Sequence, residues 1–218
     1  SHLCVSDSLK KEDMDATLEQ LTLFYDTLDW MRTQTLSPGR VHIQASYGVL
    51  NLPPQPCAWA RAGIALYGVG ADAQRLDLRP VMSLKSSVST IKTFDPGTDV
   101  SYGRTFRTQG RTRIGVLPIG YADGFFRGLS NRMSVVTAQG PAPQRGRICM
   151  DMSMIDLTDL PDVKVGDEVE IFGPDNSVND MAEQAGTIPY ELTCAVSKRV
   201  PRVYIEGGKI VERSLRLL

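Results

Sequence analysis

No C-x-x-C pair occurs among the four cysteines, Cys4, Cys57, Cys149 and Cys194, which lie far apart along the chain. That spacing argues against a zinc site and against a dense disulfide framework, and it fits reduced thiols in a cytosolic compartment. Histidine is nearly missing. Only His2 and His42 are present, which excludes mechanisms needing several imidazoles within this chain. No apolar run approaches the roughly 18 residues needed to span a bilayer. The opening residues also lack the basic start, apolar middle and small-residue cleavage site of a secretory signal. Neither sign of charge is in excess, and a net charge of -1 gives no electrostatic reason to expect nucleic acid or an anionic membrane as partner. Repeats and low-complexity tracts are absent too. What remains is ordinary globular material, 42% hydrophobic over 218 residues, enough for one large domain or two small ones.

Residues 2–5 (HLCV) read as the end of a buried strand. Beyond them Met14, Leu18, Leu21, Phe24, Leu28 and Met31 recur at three- and four-residue steps, the pattern of an amphipathic helix. Ser37-Pro38-Gly39 breaks the chain. Strand-like runs follow at Val41–Ser46 and Gly63–Val69, on either side of a polar, Pro-rich stretch. Strand, helix, strand, strand is a piece of a parallel α/β layer. The texture changes near Leu78, and from Val81 short alternating segments alternate with Gly, Pro and Asp turns. Val81–Phe94, Thr112–Pro118, Met133–Ala138, Gly146–Met150, Ser153–Leu157 and Glu168–Phe172 suit β-strands. Helices are expected at Val178–Ala185, capped by Asn176 or Ser177, and at Tyr190–Lys198. A last strand pair, Arg202–Ile205 and Lys209–Glu212, turns at Gly207-Gly208. The predicted organisation is an α/β segment over residues 1–78 and a mostly-β domain over 79–218. Two or three parallel strands with one helix cannot cover both faces of a sheet or close a barrel. The α/β segment is therefore expected to be completed by further polypeptide, of the same gene or of a companion chain.

Four segments could carry chemistry. In RAGIALYG, Arg61–Gly68, a cation precedes a glycine whose neighbouring amides could approach an anion; the plainer alternative is a strand with an entrance turn. In DVSYGRTF, Asp99–Phe106, Tyr102 lies beside glycine among polar residues. A tyrosine there serves as acid or base when cations favour its phenolate, or else is only a turn aromatic. LPIGYADGFFR, Leu117–Arg127, carries Tyr121 and Arg127 in a Gly- and Asp-rich loop. GRICMDMSMIDL, Gly146–Leu157, places Arg147, Met150 and Asp151 together. Methionine is a common core filler, and a lone Asp commonly serves a turn or cap.

Taken in order, RAGIALYG, SYGRTF, IGYADGFFR and GRICMDMSMIDL, followed by IPYELTCAVSKRVPR, resemble the alanine racemase family over essentially the whole chain. The resemblance implies an α/β fragment of a (β/α)8 barrel followed by a mostly-β C-terminal domain. It also implies a homodimer, and pyridoxal 5'-phosphate at the barrel mouth anchored by a lysine in an A-V-V-K-A-N-A-Y-G-like motif. That motif is absent here, and Lys10 and Lys11 have no such context. By the same resemblance His2 packs against the cofactor ring. Arg61 faces the pyridine nitrogen with His42 in support, and Ser46 with the amides of Gly63 and Ile64 holds the phosphate. Tyr102 is the second base, opposite the lysine, and acts from the partner subunit. Tyr121 stands at the site entrance, and the backbone amide of Met150 binds substrate carboxylate, with Asp151 beside it. No metal is implied.

Two positions depart from the family pattern. Lys198 stands where many members carry a tyrosine touching the phosphate, and Ala45 where an asparagine is common; both bear on the choice between alanine and serine. The expected activity is racemisation of L- and D-alanine, or of serine, supplying D-amino acid for peptidoglycan in the cytoplasm. An upstream membrane domain, as in some resistance racemases, stays open. The competing expectation, a truncated non-catalytic dimerisation module, rests on the absent lysine motif.

Overall fold

The computed structural model describes residues 1–70 and 76–215. Two compact units divide the chain, Ser1–Val81 and Met82–Leu218. In the first, α1 (Lys11–Thr33) opens with Glu12 and Asp13, acidic residues placed where the helix dipole is positive. Its buried stripe is Thr17, Leu21 and Leu28. Leu21 joins Leu3, Ile43 and Leu52 in the core, with Met14, Phe24, Tyr25 and Cys57 packed around them. Leu18, expected on that face, is 52% exposed, because the stripe runs through position 17, whose hydroxyl is satisfied by the Asp13 carbonyl at 2.8 Å. β1 (His42–Ala45) runs directly into α2 (Ser46–Asn51) and pairs in parallel with β2 (Trp59–Arg61), His42 opposite Trp59 and Ala45 opposite Arg61.

Two expectations for this unit change. Residues 2–5 form no strand; Leu3 is buried, yet the Cys4 N–H and the His2 carbonyl bond to the Gln20 side chain rather than to a neighbouring strand. Gly63–Val69 is not a strand either. Ile64–Tyr67 is a 3-10 turn closed by the left-handed Gly68, and the strand is the three residues before Ala62. A short apolar run does not distinguish strand from helical turn by periodicity. Gly68 cannot be another residue without backbone movement, since a Cβ there would lie 1.7 Å from the Arg79 carbonyl oxygen.

The second unit contains β3 (Leu84–Ser87), β4 (Thr90–Phe94), β5 (Asp99–Val100), β6 (Phe106–Arg107), β7 (Thr112–Leu117), β8 (Ser134–Thr137), β9 (Gly140–Pro143), β10 (Ser153–Asp156) and β11 (Glu168–Phe172). One antiparallel sheet has the order β3-β11-β8-β9, a second β10-β7-β4, and β5-β6 is a short ribbon. The two sheets meet at both margins. Gln144, just past β9, bridges to Ile155 of β10, while Val88 and Ser89 between β3 and β4 bond to the Asp167 and Val116 carbonyls. Alternation along β8 and β10 sends Val135 and Ile155 inward, and Leu117, Leu157, Ile171 and Phe172 are likewise fully buried in this unit. α3 (Val178–Ala185) is capped by the Ser177 side chain, as its sequence leads one to expect. α4 (Pro189–Ala195) ends before Val196, so Lys198 lies in the turn beyond it rather than on the helix. β12 (Arg202–Glu206) and β13 (Lys209–Ser214) form the last hairpin.

Here the single strand expected over Val81–Phe94 is two strands in different sheets, parted at Val88-Ser89. The strand expected at Gly146–Met150 is a loop: Gly146 has φ +75°, and the N–H groups of Gly146 and Ile148 donate to the side chains of Asn131 and Ser130 instead of a ladder. β9 contains Pro141 and Pro143 and lies at the sheet edge, where a missing N–H costs no ladder bond. Among the described residues no helix is long and apolar enough to cross a membrane.

Candidate active site

Within the first unit, Arg61 at the end of β2 gathers several groups. Its Nη2 donates to the carbonyls of Ser1 at 2.7 Å and Ile43 at 3.2 Å, and lies 3.1 Å from His2 Nδ1. Arginine has no lone pair to offer, so His2 Nδ1 is the acceptor and the imidazole proton belongs on Nε2. His42 is not part of this set: its Nδ1 is buried without a hydrogen-bond partner among the described residues, and Ile43 supplies the β1 carbonyl that supports Arg61. Two residues beyond Arg61, the Gly63 N–H donates to Ser46 Oγ at 2.8 Å, and the Ala65 N–H does so at 3.2 Å. With both lone pairs engaged, the buried Ser46 hydroxyl keeps its proton to donate. Ile64 opens the 3-10 turn, so its N–H has no partner inside that turn. The Ser46 hydroxyl and the Ile64 amide form a neutral donor pair of the kind that suits a phosphate. A Cβ on Gly63 would meet nothing nearer than Ser46 Oγ at 4.0 Å, which leaves room for one.

Within the second unit, Tyr102 is 74% exposed and stands on a turn of unusual backbone. Ser101 has φ 65° and ψ -178°, Gly103 has φ 70° and Arg104 φ 54°. For a residue with a side chain, such a conformation as that of Ser101 costs on the order of 1–3 kcal/mol. Arg104 is steadied by Asp99, whose Oδ2 accepts from its Nε at 2.6 Å. The Tyr121 loop and the Met150 loop are paired through their backbones: the Tyr121 N–H donates to the Cys149 carbonyl at 3.0 Å and the Ala122 N–H to the Met150 carbonyl at 3.1 Å. Gly120 permits this approach, because a Cβ there would lie 2.2 Å from the Cys149 carbonyl oxygen.

Arg199 joins the same loops. Its Nε donates to Asp123 Oδ1 at 2.7 Å and its Nη2 to Asp151 Oδ1 at 2.5 Å. Its hydrogen bonds to Asp123 first and Asp151 second raise its affinity for its proton still further. Asp123, nearly buried, uses its other oxygen to accept from the Gly120 N–H at 2.9 Å, and its carbonyl accepts from the Ser197 N–H at 3.2 Å. Tyr121, Met150, Asp151 and Lys198 are thus carried on three segments tied through one guanidinium. Lys198 itself is exposed. Arg199, Asp123 and Ser101 were not marked by sequence reasoning. The density of Gly and Asp in 120–124 was the one available signal, and it indicated only a tight turn.

Residues 81–204 match the family model described as alanine racemase, C-terminal domain, and residues 1–71 match that of alanine racemase, N-terminal domain. Alanine racemase 1 of Clostridium acetobutylicum is 44% identical over 97% of this chain, and the alanine racemase of Clostridium novyi 41% over 97%. The chain spans 56% of the length of both curated relatives. Among solved structures, alanine racemase of Clostridium difficile 630 in complex with cycloserine superposes with a TM-score of 0.89 at 36% identity, over 100% of this chain and 58% of that one. Alanine racemase from Bacillus anthracis with bound L-Ala-P gives 0.87 at 32% identity, over 98% and 56%.

Proposed function

From the premise that the chain belongs to the alanine racemase family, we propose that the protein carrying it interconverts L- and D-alanine with pyridoxal phosphate as cofactor. The observation that supports this reading is the Ser46 hydroxyl, its proton left to donate, with the Ile64 amide in the turn that follows the Arg61–His2 pair. When bound, pyridoxal phosphate supplies an electron sink for the pair left behind by a departing α-proton. The Ser46 hydroxyl and the Ile64 amide would hold its phosphate, joined by the Gly63 amide once that N–H leaves Ser46 Oγ. Arg61 is a permanent cation and keeps a proton off the ring nitrogen, which limits the sink and favours return of the proton to Cα. His2, held by Arg61, would pack on the ring. The first unit is the barrel portion and the second the β domain. The anchoring lysine is supplied by residues of the whole protein outside this chain.

Racemisation needs a base on each face of Cα. Tyr102 serves one face, taking the proton from one enantiomer at its phenolic oxygen and returning it to form that enantiomer from the other. The Met150 N–H binds the carboxylate, Asp151 steadies that loop, and Tyr121 lines the approach. Tyr102 and Met150 act across a two-fold homodimer. The product serves cytoplasmic supply of D-alanine to peptidoglycan. Serine is a second substrate reading, favoured by Lys198, whose charged tip offers a hydroxyl-bearing substrate a donor.

The test uses the intact protein, titrated with pyridoxal phosphate and followed by absorbance. Exchange of the α-proton of L- and D-alanine into deuterated water is then measured separately. Tyr102→Phe should slow exchange of one enantiomer by at least about 100-fold, the scale of general-base loss, with cofactor affinity unchanged. Equal loss for both enantiomers would make the tyrosine structural. Failure to take up cofactor at all would leave a non-catalytic dimerisation module.

A further inference from the structure

The residue before Tyr102 occupies backbone that side chains avoid. At φ 65° and ψ -178°, Ser101 sits in a region populated almost only by glycine, and glycine would adopt it without strain. The serine side chain, however, makes a bond that glycine could not. Its Oγ donates to the Arg147 carbonyl at 2.7 Å and lies 3.6 Å from Cys149 Sγ, reaching into the segment that ends in Met150. The two segments also touch: a Cβ on Gly146 would lie 2.7 Å from Ser101 Cβ and 2.9 Å from the Val100 carbonyl oxygen.

That segment is fixed from its other side. Fully buried Gln144 donates from Nε2 to the Gly146 carbonyl at 3.0 Å and accepts the Asn131 N–H at 2.6 Å. Asn131 Oδ1 accepts the Gly146 N–H at 2.6 Å while its Nδ2 reaches Thr105 Oγ1 at 3.2 Å. Residues 146–150 are therefore seated on the sheet, and the Ser101 hydroxyl is the side-chain bond through which the Tyr102 turn takes its place from them.

We infer that Ser101 is a positioning residue whose hydroxyl registers the Tyr102 phenol against the Met150 backbone amide, so that base and carboxylate-binding group are held as one unit. The inference rests on the reading of Tyr102 as a base. Proton transfer is sensitive to sub-ångström placement, so loss of this bond acts on the face served by Tyr102 and spares the opposite one. A merely structural serine would affect both faces alike.

The experiment compares Ser101→Gly, Ser101→Ala and Tyr102→Phe in the full-length protein saturated with pyridoxal phosphate, measuring α-proton exchange of L- and D-alanine separately, with the melting temperature. Ser101→Gly lifts the backbone strain while losing the hydroxyl. It should melt no lower than the parent, yet exchange the Tyr102-dependent enantiomer about tenfold more slowly, the scale of one hydrogen bond. Ser101→Ala keeps the strain, should melt lower and should show the same selective slowing. If Tyr102→Phe is selective but both Ser101 variants exchange at the parental rate, or slow both enantiomers equally, the role given to Ser101 is overturned. If Tyr102→Phe slows both enantiomers equally, the base assignment fails and takes this inference with it.

Discussion

Tyr25 lies at the margin of the first unit's core, its hydroxyl donating to Gln55 Oε1 at 3.0 Å and lying 3.7 Å from Cys57 Sγ. Burial first, and the Cys57 thiol second, push its phenol up from 10.0 to about 12. Below the lower value both folded and unfolded chains keep this proton, and stability does not depend on it. As pH rises through the window between the two values, the unfolded chain releases a proton that the folded chain retains. Stability present at neutral pH is then lost on the alkaline side. Tyr25→Phe should flatten that alkaline limb, as checked by urea unfolding on either side of the window. At this scale the sequence drew attention to residues that are rare or chemically singular, such as His2, Arg61 and Tyr102, of which the structure brings His2 and Arg61 together. Ser101, Asn131 and Gln144 were illegible because their importance lies in backbone angle and burial, which a serine, asparagine or glutamine in a polar loop does not advertise.

Loops rather than strands carry the second cluster, and Arg199 fixes three of them. Arg199→Met removes a cation from between Asp123 and Asp151, leaving two carboxylates without their shared partner. The expected outcome is faster amide exchange in 119–124, 149–152 and 196–200, with protection of β7 and β10 retained. On the proposed activity, KM for alanine in the intact protein should rise several-fold with a smaller change in kcat, as read from steady-state kinetics; unchanged exchange in those segments would count against the tie. Strong periodicity made α1 and the strands with clean alternation readable from sequence. Other elements were not, and three show why. Gly63–Val69 has the composition of a strand but folds as a 3-10 turn after one, 146–150 has strand-like residues whose N–H groups are taken by side chains, and β9 hides behind two prolines that its edge position tolerates.

The whole chain divides at Val81 into two units of unlike construction, one around a parallel pair and a long helix, the other around joined antiparallel sheets. Gly68 is the point in the first unit where a single atom would do most harm. A Cβ there overlaps the backbone of Arg79 and Pro80 rather than a side chain that could swing away. Gly68→Ala should cost about 1–3 kcal/mol or more. Hydrogen exchange should locate the loss in residues 1–81, with 82–215 keeping their protection; a loss spread evenly over both units would show that they fold as one. The change in texture near Leu78 marks the replacement of one periodicity by another, and the compact units part at Val81. A last consequence follows from the tie at Arg199. One side chain spans three loops that backbone bonds already join in pairs, so its release loosens all three at once. Dilute guanidinium chloride competes for both carboxylates with the same planar cation. It should slacken these three loops at concentrations that leave the sheets intact, much as a solvent loosens a hinge pin before it touches the door.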